Sequence, residues 1–224
     1  MSAVSSSPPA VAAPRVERRG RSYRIAWPKV PVFLMCSLPA LWLLAAGLAD
    51  RLGANPIDAI TDETGTWTLR FLLVTLAVTP VRRLTGWNTL ITFRRMLGLF
   101  AFFYGTLHLC TYVVLDQFFD VASIAGDLAK RPYIMAGATG FALMLPLAVT
   151  STAGWIRRLG GRNWQRLHRL AYVSAAAGVV HYYWLVKADV SRPVRYGVVL
   201  AVLLVARLWW SRGRGLLQRP RSQI

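Results

Sequence analysis

The chain has 224 residues, of which 55% are hydrophobic, and its 27 basic residues against 9 acidic ones give a net charge of +18. Uncharged runs at 30–49, 96–115 and 132–156 each reach 20 residues or more, enough to cross a hydrocarbon core of ~30 Å at ~1.5 Å per residue. This excludes an ordinary soluble domain. It also weakens the nucleic-acid reading that such a charge would carry in a soluble protein.

Residues 1–29 are first rich in Ser, Pro and Ala and then basic (PRVERRGRSYR). They cannot bury a core and are expected to be a disordered cytoplasmic tail. A basic stretch before an apolar run resembles a signal peptide. The run is long, however, and Pro31 and Pro39 interrupt it, so an uncleaved first span over 30–49 is expected, with Gly47-Leu48-Ala49 as the place where cleavage could occur. The loop NPIDAITDETG follows. A second span at 65–81 is weakened by Arg70, which lies near one end and can snorkel to the interface.

The third span, 96–115, contains His108. The loop LDQFFDVASIAGDLAKR separates it from a fourth span at 132–153. A fifth span covers 167–186 within QRLHRLAYVSAAAGVVHYYW, with His168 and His181 near its two ends. A sixth, at 194–210, is uncharged only over 196–206, and 211–224 form a second basic tail. Eight of the nine tryptophans fall near predicted span ends, as interfacial tryptophan does. The two cysteines, Cys36 and Cys110, sit in apolar spans and have neither a disulfide framework nor metal-ligand spacing. The expected fold class is an all-α integral membrane protein, a six-helix bundle over 30–210.

Six spans put both termini on one side. The segments on that side carry 20 basic residues and one acidic residue, and the remaining loops carry 7 basic and 8 acidic. The positive-inside rule then makes both termini cytoplasmic. The same rule accounts for the net charge, as topology signals that face anionic lipid headgroups. No nucleic-acid partner is expected.

The chain has three histidines, and all lie in apolar spans. An intramembrane histidine marks a functional site by default. Spans 3 and 5 run in the same direction. His108 precedes the end of span 3 by seven residues and His181 the end of span 5 by five, a depth difference of about 3 Å. Two imidazoles at matching depth can ligate one haem iron from opposite faces, an arrangement suited to electron transfer. His168 lies about 20 Å away along the helix, near the cytoplasmic face. It has no histidine partner at its level, where span 3 offers Arg94 and Arg95. Its open roles are a haem ligand with a non-histidine partner, a flavin or quinone contact, a partner for propionates, or a solvated interfacial residue.

Zinc is disfavoured, because the three histidines are too spread for a tetrahedral site. A proton relay is disfavoured as well, because the spans lack Asp and Glu. Arg82, Arg83, Arg94, Arg95, Arg157, Arg158, Arg162 and Arg166 flank spans 3 and 5. Topology explains them. The sharper reading is a site for a phosphorylated cofactor such as FMN or for haem propionates, with Gly160-Gly161 beside them.

The segments TFRRMLGLFAFFYGTLHLCTYV, KRPYIMAGATGFALMLPLAVTST and NWQRLHRLAYVSAAAGVVHYYW, with LGANPIDAITDETG and LAVTPVRR, closely resemble the MsrQ (YedZ) family. These are haem-binding membrane subunits of bacterial protein-methionine-sulfoxide reductase systems. The likeness runs from about Pro39 to Arg207. More distantly the chain is similar to the ferric reductase and NADPH oxidase membrane domain, whose third and fifth helices each carry two histidines, whereas this chain keeps one in the third.

The resemblance implies a ferric-reductase-like bundle in the bacterial inner membrane. Electrons from the quinone pool or a cytoplasmic flavin reductase would pass through FMN and haem b, present as one group or two. They would reach a periplasmic molybdenum-containing partner, MsrP, which reduces methionine sulfoxide in oxidised periplasmic proteins. The family's haem ligands match His108, His181 and His168. The chain would be a non-catalytic electron-transfer subunit. Two alternatives stay open: a direct ferric-reductase-type oxidoreductase, for which no GxGxxG motif is present, and a cofactor-free transporter or scaffold.

Overall fold

Helix boundaries in the computed structural model, which describes residues 29–217, with side chains as far as Trp210, follow local chemistry. Among the described residues the chain forms eight α-helices and no strand. They are α1 (Lys29–Leu48), α2 (Pro56–Thr85), α3 (Arg94–Cys110), α4 (Val121–Lys130), α5 (Pro132–Val149), α6 (Ala153–Leu167), α7 (Leu170–Leu185) and α8 (Ser191–Leu217). A 3₁₀ turn, Asn88–Thr92, precedes α3, and a π turn, Thr111–Asp116, extends it.

Asn55 caps α2 by accepting the Asp58 N–H, and Pro56 occupies the first turn, where a missing N–H costs nothing. The helix stops at Gly86, whose φ of 74° lets its N–H return to the Arg82 carbonyl. Asp120 caps α4 through the N–H groups of Ala122 and Ser123. Asp189 accepts from Ser191 ahead of α8, and these hydrogen bonds hold its carboxyl below the usual carboxylate range.

Each of the six expected spans is helical. Four stretches are long and apolar enough to cross a membrane: Lys29–Leu48, Arg94–Asp116, Pro132–Val149 and Ser191–Trp210. The other two fall short for different reasons. The apolar part of α2 is diluted by Arg70 and several threonines, and α7 has 16 residues, about 24 Å of rise. The chain is thus an all-helical membrane protein.

Helix extents differ from expectation in three places. The loop before span 2 is the first part of α2, because Asn55 and Pro56 start the helix early. The stretch after span 3 contains α4. Span 5 is not one helix from His168 to His181. His168 closes α6, a helix placed where a loop was expected, and α7 begins only at Leu170. The expected tail 1–29 lies outside the described residues except for Lys29. Within 211–224, the backbone is described only to Leu217, where it continues α8.

Helices α2, α3, α5 and α7 form a square in which α2 packs on α3, α3 on α5, α5 on α7 and α7 on α2. Helices α3 and α7 stand at opposite corners. Helix α1 leans on α2 and α3, α8 closes the outer side of α7 and α2, and α4 rests on α5. Small residues allow close approach: Gly140 faces Ala177 and the Ser174 backbone, and the Ser174 hydroxyl donates to the Gly140 carbonyl at 2.8 Å. Trp67, Phe71, Phe100 and Tyr104 fill the space between α1, α2 and α3 as a continuous aromatic cluster. Arg70, in the middle of α2, donates to the Tyr196 hydroxyl at 3.1 Å and lies 4.6 Å from the Trp67 ring centre. Hydrogen bonding and cation–π contact replace the carboxylate partner it lacks.

Pro39 disturbs α1, and Tyr104 repairs the damage. The Ala40 N–H would bond the Cys36 carbonyl in a regular helix. That N–H donates to the Tyr104 hydroxyl at 3.0 Å, and the hydroxyl donates to the Cys36 carbonyl at 2.9 Å. A side chain from α3 is therefore inserted into the backbone ladder of α1. Tyr104 is fully buried, so no water can take over this bridge. Tyr104→Phe should lower the thermal midpoint of the detergent-solubilised protein, at a cost of roughly 1–3 kcal/mol for two orphaned groups. Adding Pro39→Ala, which lets the ladder close, should recover part of the loss.

Candidate functional site

The π turn and the ends of α3 and α7 gather at one end of the square. There His108 and His181 face each other with ring centres 6.0 Å apart and ring planes at 79°. Both are half-buried. The two residues that depth arguments pair are thus brought together in space.

Each imidazole is held in the same way. His108 Nδ1 lies 3.0 Å from the Thr61 carbonyl oxygen on α2, and His181 Nδ1 lies 2.6 Å from the Tyr133 carbonyl oxygen on α5. A carbonyl can only accept, so Nδ1 carries the proton and donates in both cases. Nε2 is then left with a lone pair, the state in which an imidazole binds a metal.

A glycine stands four residues after each acceptor: Gly65 after Thr61 and Gly137 after Tyr133. A Cβ on Gly65 would meet His108 Cε1 at 3.0 Å, and one on Gly137 would meet His181 Nδ1 at 2.8 Å. Within a helix a carbonyl at position i already accepts from the N–H at i+4. Removing the side chain at i+4 lets an imidazole reach the second lone pair of the same oxygen. Thr61, Gly65, Tyr133 and Gly137 were not among the residues singled out from the sequence. The visible signal was a glycine inside each apolar helix, in DETGTW and IMAGAT, but a glycine alone does not reveal its neighbour.

His168 sits at the other end of the square and is held differently. The Thr150 hydroxyl gives its proton to the Pro146 carbonyl at 2.6 Å, so it accepts from His168 Nε2 at 3.2 Å. The ring stacks on Trp164 at 3.9 Å, and Trp164 Nε1 donates to the Thr150 carbonyl at 2.9 Å. Arg94 and Tyr172 line the same end, and the Arg207 guanidinium covers the Tyr172 ring at 4.6 Å. Other basic residues engage neutral groups: Arg82 donates to Asn88, Arg83 lies over Trp210 and Arg158 over Trp155. Gly160 breaks α6 with a φ of 71°, and Gly161 has nothing within 4 Å of a Cβ position. Among the described residues no three His, Cys, Asp or Glu side chains gather as a metal-ion cage.

This geometry can be set beside known proteins. Residues 64–179 match the family described as ferric reductase like transmembrane component, a range that includes His108 and His168 and ends two residues before His181. Over 185 residues the chain is 52% identical to the protein-methionine-sulfoxide reductase heme-binding subunit MsrQ of Herminiimonas arsenicoxydans, covering 82% of this chain and 85% of that one. The MsrQ protein of Ralstonia nicotianae is likewise 52% identical, with 81% and 85% covered. That of Azospira oryzae is 56% identical, with 79% and 76% covered.

The chain belongs to the MsrQ family.

The matches to the Herminiimonas and Ralstonia relatives cover 82% and 81% of this chain, long enough that residues 61–181 must fall within them. The imidazole pair and its glycine–carbonyl seats therefore lie inside the shared region.

Crowding at the seats can be measured directly. Gly137→Ala should push His181 off its carbonyl and lower the thermal midpoint by the equivalent of about 1–3 kcal/mol, as overpacking does. Gly65→Ala should cost less, since its nearest contacts are longer. Gly126→Ala, which meets nothing within 4 Å, should be silent in the same melt.

Proposed function

We infer that this MsrQ-family chain is a haem-carrying electron-transfer subunit of a methionine-sulfoxide reductase system, with His108 and His181 as the two axial ligands of a b-type haem. The observation that carries this reading is the opposed pair of imidazoles with both Nδ1 protons on carbonyls. Two neutral imidazoles with Nδ1 committed to carbonyls would both offer Nε2 as the donor, the donor type that holds haem iron. The rings stand 6.0 Å apart. The donor set therefore fits the group. Held by His108 and His181, haem would supply one-electron redox chemistry suited to electron transfer.

The protein's own residues do the rest. Thr61 and Tyr133 fix the tautomers, and their hydrogen bonds raise the basicity of both ligands. Gly65 and Gly137 set the approach of the rings. The buried aromatic cluster and the small-residue helix contacts keep the site rigid and low in dielectric. In this reading the substrate chemistry falls to a partner subunit.

In this reading all six long helices cross the bacterial inner membrane, with α2 and α7 shielded by their neighbours and both termini cytoplasmic by the bias of basic residues. The His108–His181 end then faces the periplasm, where a catalytic subunit of the MsrP kind takes the electrons. The His168 end, with its arginines, faces the cytoplasm. There, donors from the quinone pool or a flavin reductase deliver electrons through FMN, whose phosphate suits an arginine fork. His168 belongs to this input side.

The test is a reduced-minus-oxidised spectrum with haem and FMN measured per chain. His108→Ala and His181→Ala should each remove the principal haem, whereas His168→Ala should leave it in place. Full haem content in His181→Ala would overturn the pairing. Alkaline phosphatase fused at the C-terminus should be inactive; activity there would reverse the topology.

A further inference from the structure

One acidic side chain is built into the His108–His181 end, and the reading above gives it no role. Asp127, on α4, is 13% exposed, and its two oxygens are both engaged. Oδ2 accepts from the Tyr112 hydroxyl at 2.9 Å, and Oδ1 pairs with Arg131 Nε at 3.0 Å. Arg131 also donates through Nη1 to the Tyr133 hydroxyl at 3.3 Å.

The two arms lead to the two imidazoles. Tyr112 follows His108 by four residues on the same helical run, inside the π turn that widens the end of α3. Tyr133 is the residue whose carbonyl holds His181, and its ring centre lies 6.3 Å from the His181 ring. Arg131 stands at the start of α5, immediately before Pro132 and Tyr133, so the pair with Asp127 anchors the first turn of that helix. Asp127 is also the only described acidic residue in a salt bridge, which separates it from the solvent-facing helix cap Asp120 on the same loop.

We propose that Asp127 is a positioning residue for the axial ligands, tying the end of α3 to the start of α5 and thereby setting the spacing and relative rotation of His108 and His181. This rests on the assignment of those histidines as haem ligands. The carboxylate acts at a distance, through Tyr112 on one side and through Arg131 and Tyr133 on the other. Its loss frees the Tyr133 carbonyl to move, weakens the hydrogen bond to His181 Nδ1, and lets the two ring planes leave their near-perpendicular setting.

The test uses the full chain, purified in detergent with its haem. Near-perpendicular axial imidazoles give a strongly anisotropic low-spin ferric EPR signal, and rotation towards parallel narrows it. Asp127→Asn should keep haem content close to wild type, raise the haem midpoint potential and narrow the EPR anisotropy. Asp120→Asn removes the same charge from the same loop but keeps a capping oxygen, so it should leave the EPR signal unchanged. An EPR signal identical to wild type in Asp127→Asn overturns the proposal, even if the potential moves, because charge alone would then account for the shift. Should Asp127→Asn shed its haem, Tyr112→Phe decides, since it removes one arm and leaves the salt bridge: a narrowed signal supports the positioning role and an unchanged one overturns it. A wild-type protein without a haem spectrum would defeat the ligand assignment itself, an outcome distinct from either.

Discussion

The site depends on one interaction made twice, an imidazole N–H donated to a helix carbonyl that already serves its own helix. A polar ring inside a membrane bundle is costly unless its N–H is paired. Most carbonyls in such a bundle are screened by the side chain four residues on. Glycine at that position removes the screen at Thr61 and again at Tyr133. The result is a fixed tautomer at each ring, with Nδ1 protonated and Nε2 left with its lone pair. No other side chain has to supply an acceptor at either ring.

Placement of the rings follows from the square of helices. Helices α3 and α7 occupy opposite corners, so residues at matching depth face each other across the diagonal and not across a packed seam. The neighbours α2 and α5 supply the carbonyls. The same economy of backbone groups recurs where Pro39 opens α1 and the Tyr104 hydroxyl fills both halves of the gap. In each case a proline or glycine disturbs a helix locally, and a side chain from another helix completes the backbone.

Much of this was legible in the sequence. Uncharged runs gave the helices, and the direction of alternate spans gave the pairing of His108 with His181, because both depend on spacing along one chain. The seats at Thr61–Gly65 and Tyr133–Gly137 were not legible, because they are contacts between helices whose mutual rotation no run of residues encodes. Helix α6 was read as a loop because its arginines and Gly160-Gly161 hide a helical pattern behind charge and break signals. Helix α4 was missed because ten residues with a narrow apolar stripe look like a polar connection. The expected single helix from His168 to His181 failed at His168–Arg169, the two residues between the end of α6 at Leu167 and the start of α7 at Leu170, without any proline or glycine to announce the break.

The break after His168 bears on how differently one residue type is used at the two ends. His108 and His181 commit Nδ1 to the backbone and keep Nε2, the nitrogen farther from their own Cβ, free of that hydrogen bond. His168 commits Nε2 to Thr150, whose own proton is already given to Pro146, and lies flat on Trp164. What it leaves over is Nδ1, close to its own backbone. For His168 to ligate through Nε2, the ring would have to leave Thr150, and its stacking on Trp164 would be disturbed as it turned. The other two rings would displace no hydrogen bond in accepting a metal. The energetic gap between binding at the two ends therefore includes a broken polar contact at one and none at the other. The two ends thus differ in which ring nitrogen is engaged: Nδ1 at His108 and His181, and Nε2 at His168.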